Sequence, residues 1–130
     1  MRSATPYLTL PGTCEEALGT YAGVFGGDIT RLVRLSEAPI ELPPGAPEHL
    51  VFDGEMRAGE LVVKASDDPS MPSGSPTVSI FLPCDDISQV ASLCDGLSVD
   101  GTVLFPPEGN FAMVEDRFGV RWMLAVVDDI

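Results

Sequence analysis

The sequence predicts an α+β fold of two paired βαβββ modules, which form a curved mixed β-sheet around a cleft with the helices outside. Three observations predict it. Read by hydrophobic periodicity, the elements run strand, helix and three strands, and then do so again, an internal repeat of topology and not of residues. A Pro/Ser/Gly stretch, "DPSMPSGSP" at residues 68–76, separates the two passes. Neither half, about 1–67 or 77–130, is long enough to bury a stable core by itself, so one domain over 1–130 is expected. Two four-stranded sheets curved edge to edge make a concave face suited to a small ligand.

"TPYLTLPG" reads as the first strand, with Tyr7 and Thr9 on one face and Leu8 and Leu10 on the other. Thr13 with Glu16 three residues on reads as a capping box. Ala17, Leu18, Tyr21, Val24 and Phe25 then make a helical stripe, and Gly26-Gly27 ends it. "DITRLVRLS" alternates as a strand, the four-proline segment 37–47 reads as a loop, and "EHLVFDGEM" and "GELVVKASD" form a strand pair turning at Arg57-Ala58-Gly59. After the linker, "TVSIFLPC" is a strand. "DDISQVASLCDGL" is a helix capped by Asp85 or Asp86, with Gln89 completing a box if Asp86 is the cap. Strands at 101–105, 110–115 and 120–127 complete the second half, separated by "PPEG" and "DRFG".

Composition narrows the function classes. Apolar residues make up 45% of the 130, which fits a folded globule. Seven basic against 20 acidic residues give a net charge of −13, a surface that repels phosphate backbones and argues against nucleic acid. No apolar run approaches the roughly 20 residues a membrane span needs, and "MRSATPYLTL" lacks a signal-peptide core, so a cytoplasmic protein without membrane contact is expected. Cys14, Cys84 and Cys94 lack metal-ligand spacing and are odd in number, which fits reduced thiols.

Three stretches carry a resemblance: "PYLTLPGTCEEALGTYAGVFGGDI" at the start, His49 ahead of a strand ending Lys64-Ala65-Ser66-Asp67, and the closing "EDRFGVRWML". With the paired βαβββ layout they resemble the vicinal oxygen chelate superfamily, which includes glyoxalase I, extradiol dioxygenases and bleomycin-resistance proteins, and within it the PhnB-like branch. The resemblance implies a homodimer, also the default symmetry of soluble homo-oligomers. In metal-dependent members it implies one His or Glu ligand from each of four strands. By aligned position those slots fall here at Pro6 or Tyr7, Val63, Ser79 and Met123, none of which is His, Asp, Glu or Cys. Neither spacing nor strand parity gathers His49 with Asp53, Glu55 or Asp67 into a substitute. No metal and no cofactor is therefore expected.

The ligand-binding candidates are Tyr7, Thr9, His49, Ser79, Phe81, Phe105, Phe111, Met113 and Met123. Tyr7 and Thr9 share a strand face and either project into the cleft or pack on the neighbouring half, and Ser79 and Phe81 sit similarly in the second half. Phe105, Phe111 and Met113 either line an apolar pocket or belong to ordinary core. His49, the one histidine, is the acid–base candidate, against a structural role on a strand. Trp122, on the face opposite Met123, is expected under the outer helix, and Lys64 in a surface ion pair. The leading reading is a metal-free small-molecule-binding member of the superfamily, enzyme or not. Its rivals are a metal-dependent glyoxalase-type lyase or dioxygenase, and a resistance protein that sequesters a cationic drug in an acidic, aromatic-lined cleft.

Overall fold

The computed structural model describes residues 1–42, 44–72, 74 and 77–126. The chain divides into two units, Met1–Pro72 and Ser73–Ile130. In the first, β1 (Tyr7–Leu10), α1 (Cys14–Phe25), β2 (Asp28–Arg34), β3 (Val51–Ala58) and β4 (Leu61–Asp67) build a sheet of order β1-β4-β3-β2. β1 runs parallel to β4 and the other pairs are antiparallel. The second unit repeats this with β5 (Ile80–Cys84), α2 (Ile87–Leu97), β6 (Thr102–Phe105), β7 (Phe111–Glu115) and β8 (Arg121–Val126), in the order β5-β8-β7-β6. Again the first and last strands pair in parallel.

Each helix covers one face of its own sheet: α1 packs on β3, β2 and β4, and α2 on β7, β8 and β5. The α1 stripe buries Ala17, Leu18 and Tyr21 against Met56, Val63 and Ala65, all fully buried. Gly54 makes this possible, because a Cβ there would stand 2.7 Å from Leu18 Cδ1. In the second unit Val90, Cys94 and Leu97 of α2 meet the buried row Ala112, Val114, Trp122 and Leu124. Burial of one such large side chain is worth about 1.5–3 kcal/mol, so these faces supply most of each unit's stability.

The helix starts differ from one another. α2 begins as the sequence suggests: Asp86 accepts from the Gln89 N–H at 2.8 Å, and the Gln89 amide oxygen returns to the Asp85 N–H at 2.7 Å. At α1 the expected capping box is overturned. Thr13, at φ −107° and ψ 13°, makes no side-chain cap bond. Asp67, arriving from the end of β4, accepts the Cys14 N–H with one oxygen and the Val51 N–H with the other, both at 2.9 Å. A charged acceptor at the positive end of the helix is stronger than a hydroxyl, and this one also ties β3 to the helix.

Three further expectations change. β3 continues to Ala58, which pairs with Leu61, so the hairpin turns on Gly59-Glu60 with Gly59 at φ 59°. β2 stops at Arg34, and Leu35–Glu37 is a 3₁₀ turn whose Leu35 N–H bonds the Leu50 carbonyl. β5 starts only at Ile80. The expected reach of the last strand to Val127, Pro43 of the expected loop, and Ser73, Ser75 and Pro76 of the expected linker lie outside the described residues.

The closing stretch Glu115–Leu124 is organised by one buried carboxylate. Asp116, 5% exposed, accepts the N–H groups of Phe118 at 2.9 Å and Val120 at 3.0 Å with Oδ1, and the Trp122 indole N–H at 2.8 Å with Oδ2. Gly119, at φ 86°, closes the turn through its N–H to the Asp116 carbonyl. The Asp-x-Phe-Gly-Val-x-Trp signature is thus a turn-and-strand device that seats Trp122, fully buried, under α2.

Candidate functional site

The face of each sheet turned away from its helix carries the candidate chemistry, and strand register states which residues share it. In the second unit Phe81 pairs with Met123, Met123 with Met113, and Met113 with Phe105. One apolar row therefore crosses all four strands on the face opposite α2. Phe111, two residues from Met113 on β7, meets the Phe105 ring edge-on with centroids 5.9 Å apart. Phe81 and Phe105 are 45% and 56% exposed, in contrast to the buried residues of the α2 side. Beside the row, two residues along β7 and β8, Arg121 Nε bonds Glu115 Oε1 at 3.2 Å. Ser79 lies just ahead of β5 and is half-buried.

The first unit's face away from α1 is polar. Tyr7 pairs with Lys64, Lys64 with Glu55, and Glu55 with Arg31, a row again four strands wide. Asp53 is its hub. It accepts the Tyr7 hydroxyl at 2.9 Å and Arg31 Nε at 2.7 Å, and Lys64 Nζ stands 3.2 Å from it. Glu55 takes the Thr30 hydroxyl and Arg57 Nε, each at 2.7 Å. Lys64 Nζ also lies 5.8 Å from the Tyr7 ring centroid. Thr9 shares this face two residues on from Tyr7, paired with Ser66.

Burial alone would raise the Asp53 carboxyl, but the hydrogen bonds from Arg31, Tyr7 and Lys64 outweigh it and hold it below the usual carboxylate range. Tyr7 moves the other way, raised by burial and by its bond to the Asp53 carboxylate. A depressed folded value stabilises the fold above the unfolded pKa of about 3.9, and that stability is lost as pH falls through the lower folded value. Asp53→Asn is accordingly expected to flatten the acid limb of a stability-against-pH curve below about pH 5, measured by chemical denaturation at each pH. An acid limb as steep as in the parent chain would refute the hub role.

His49 is not on a strand. It occupies the turn before β3, exposed, with its carbonyl accepting Arg34 Nη1 at 2.8 Å, while Arg34 also grips Glu15 with both terminal nitrogens. Val63 is likewise displaced from its expected role: it is fully buried and pairs with Met56 on the α1 side, because Lys64 takes the outward position. On the faces turned away from the helices the register instead pairs Tyr7 with Lys64 in one unit and Phe81 with Met123 in the other. A phenol, an ammonium, a phenyl and a thioether do not fit a divalent metal that needs imidazole, carboxylate or thiolate donors. Asp53 and Glu55 are carboxylates on the polar face, but each is already engaged by a cation. Among the described residues no three His, Cys, Asp or Glu gather into a metal-binding group. The cysteines are free and buried, and burial, with Asp67, Asp53 and Glu15 nearby, pushes the Cys14 thiol up to about 12.

Sequence reasoning missed Arg31 and left Asp53 out of the candidate set. The signal was present: "FDGEMRA" alternates charged and uncharged residues with a period of two, which puts Asp53, Glu55 and Arg57 on one face of β3.

The family described as 3-demethylubiquinone-9 3-methyltransferase matches residues 2–125. Protein YjdN of Escherichia coli is 28% identical over 140 residues, spanning 95% of this chain and 94% of that one. The structure of protein PA1353 from Pseudomonas aeruginosa aligns with a TM-score of 0.84 at 28% identity, covering 97% of this chain and 98% of that one. A PhnB protein from Bacillus cereus aligns at 0.78 and 22%, covering 96% and 99%. The fold alone extends to the fosfomycin resistance protein FosX of Listeria monocytogenes, at TM-score 0.68 and 8% identity over 98% and 94% of the two chains. No helix of the described residues is long and apolar enough to cross a membrane.

The methyl transfer in the family's description calls for a bound methyl donor; neither strand-to-helix turn, Pro11-Gly12-Thr13 or Asp85-Asp86, forms the glycine-rich loop of a dinucleotide-binding fold.

Proposed function

We propose, for a chain that belongs to the 3-demethylubiquinone-9 3-methyltransferase family and so to the PhnB-like branch of the vicinal oxygen chelate superfamily, a metal-free small-molecule-binding role. The apolar row of the second sheet is its ligand seat. The observation that carries this reading is the register Phe81–Met123–Met113–Phe105, four apolar side chains aligned across four strands on the face that α2 does not cover. Two methionines beside two phenylalanines make a polarizable, adaptable surface suited to aromatic or aliphatic molecules. The thioether at Met123, a position where the resemblance implies a ligand in metal-dependent members, supports binding without a metal. The homodimer expected from the family is part of this reading, and light scattering would report twice 13.8 kDa.

The test is a thermal-shift screen of neutral aromatic, aliphatic and cationic aromatic compounds, run with divalent metals and with a chelator. Hits that raise the melting temperature equally with and without metal, and bind at least about tenfold more weakly to Met123→Gln, are expected; tenfold corresponds to about 1.4 kcal/mol. Tight binding of a cationic compound with no product formed would identify sequestration. Stoichiometric nickel, zinc, iron or manganese in the purified protein, with activity lost on chelation, would overturn the reading.

A further inference from the structure

We infer that the polar face of the first sheet is a second binding subsite, one for the oxyanion group, carboxylate or phosphate, of a small molecule, with Arg31 and Arg57 as its donors. The two arginines are held alike. Arg31 donates Nε to Asp53 and Arg57 donates Nε to Glu55, both at 2.7 Å. Among the described residues no acceptor meets the terminal nitrogens of either side chain. An arginine gripped only through Nε presents its two terminal nitrogens as a pre-oriented fork, the geometry that binds a carboxylate or phosphate through two parallel hydrogen bonds. Two such forks flank Glu55. Arg31 pairs with it across strands, and Arg57 follows it two residues along β3, on the same face.

Local charge agrees. The chain carries seven basic residues against 20 acidic, and three of the seven, Arg31, Arg57 and Lys64, share this one sheet face. Asp53, Glu55 and Asp28, which pairs with Arg57, balance them. The excess of negative charge therefore lies elsewhere, and an anion meets no net repulsion here, as it would over the rest of the surface. The carboxylates position the forks, since Asp53 and Glu55 side chains are only 17% exposed while Arg31 and Arg57 are 53% and 57% exposed. The donors are thus open to solvent above acceptors fixed in the sheet. The Tyr7 hydroxyl and Lys64 complete the support by holding Asp53 from the other side.

This subsite shares no residue with the apolar row, so the two readings fail separately. The test titrates the full chain with sodium phosphate and, in a second arm, sodium acetate, each against sodium chloride of equal ionic strength, by calorimetry and thermal shift. At least one oxyanion is expected to bind and raise the melting temperature above the chloride control, and the responding arm identifies the anionic group. Arg31→Gln/Arg57→Gln is expected to weaken that binding at least tenfold, while Met123→Gln leaves it unchanged. Arg31→Lys/Arg57→Lys keeps both charges and removes both forks. It is expected to lose most of the affinity as well, and it carries the test should the glutamine pair fail to fold. No response beyond chloride in either arm, or full binding retained by the lysine pair, would overturn the inference.

Discussion

Asp116→Ala is expected to destabilise the chain by about 4 kcal/mol, the largest single-carboxylate effect among the described residues. The change removes an acceptor that serves two backbone N–H groups and the Trp122 indole, two of these donors buried and the Val120 N–H part-buried. Hydrogen bonds to a charged acceptor contribute on the order of 1.5–3 kcal/mol each, and their loss is not additive once the turn relaxes, which sets the estimate below the simple sum. Asp116→Asn keeps the shape and one acceptor oxygen, so about half the effect is expected. Trp122 is the one tryptophan, so its fluorescence reports both unfolding and the local environment. Denaturant titrations followed by that signal decide the matter, and a loss below about 1 kcal/mol for the alanine variant would show that the turn stands without its carboxylate.

The second large effect comes from a glycine. Gly27→Ala is expected to cost about 2–3 kcal/mol, because the new Cβ would run into the Arg57 carbonyl oxygen and the Ala58 Cβ, and a paired strand backbone does not yield cheaply. Gly23→Ala is expected to have the opposite sign. Its Cβ would meet nothing within 4 Å, and removing a glycine from an exposed helix interior stabilises by about 0.5–1 kcal/mol. Midpoints from matched denaturation curves check both at once, and a shift of the same sign for the two variants would contradict the close-approach account. Gly101 is the twin of Gly27 in the second unit: it precedes β6 as Gly27 precedes β2, and its Cβ would meet the Glu115 carbonyl and the Asp116 backbone. The two units thus repeat a steric requirement, and in this detail the repeat reaches the residue level.

The order of elements was legible in the chain because periodicity, prolines and glycines report local geometry. Asp86 was readable as a cap since its partner Gln89 is three residues away. Thr13 misled for the complementary reason: the acceptor that replaced it, Asp67, lies 53 residues from its donor Cys14 in sequence and is brought to the helix by the β1–β4 pairing. Parity was the finer obstacle. Val63 and Lys64 differ by one position, and that single step moves a side chain from the helix-covered face to the outward face. The apolar row was visible as residue types at strand spacing, whereas its alignment across four strands depends on register, which no local signal states. The Asp53 hub was hidden for the same reason, since Tyr7, Arg31 and Lys64 come to it from three different strands.

The parallel pairing of first and last strands in each unit bears on how the chain acquires its structure. β1 pairs with β4 and β5 with β8, so each sheet's closing contacts join residues separated by nearly the whole unit. Such contacts must overcome a long loop-closure entropy before they return any stabilisation, and folding rates fall as contacts become less local. During synthesis the first sheet lacks its β1 neighbour until β4 has emerged, and Asp67, the anchor of α1, is the final residue of that strand. The first unit is therefore expected to lock late and as a whole, and the second to repeat the wait, because β8, which carries Trp122, is the last strand of its sheet to be made.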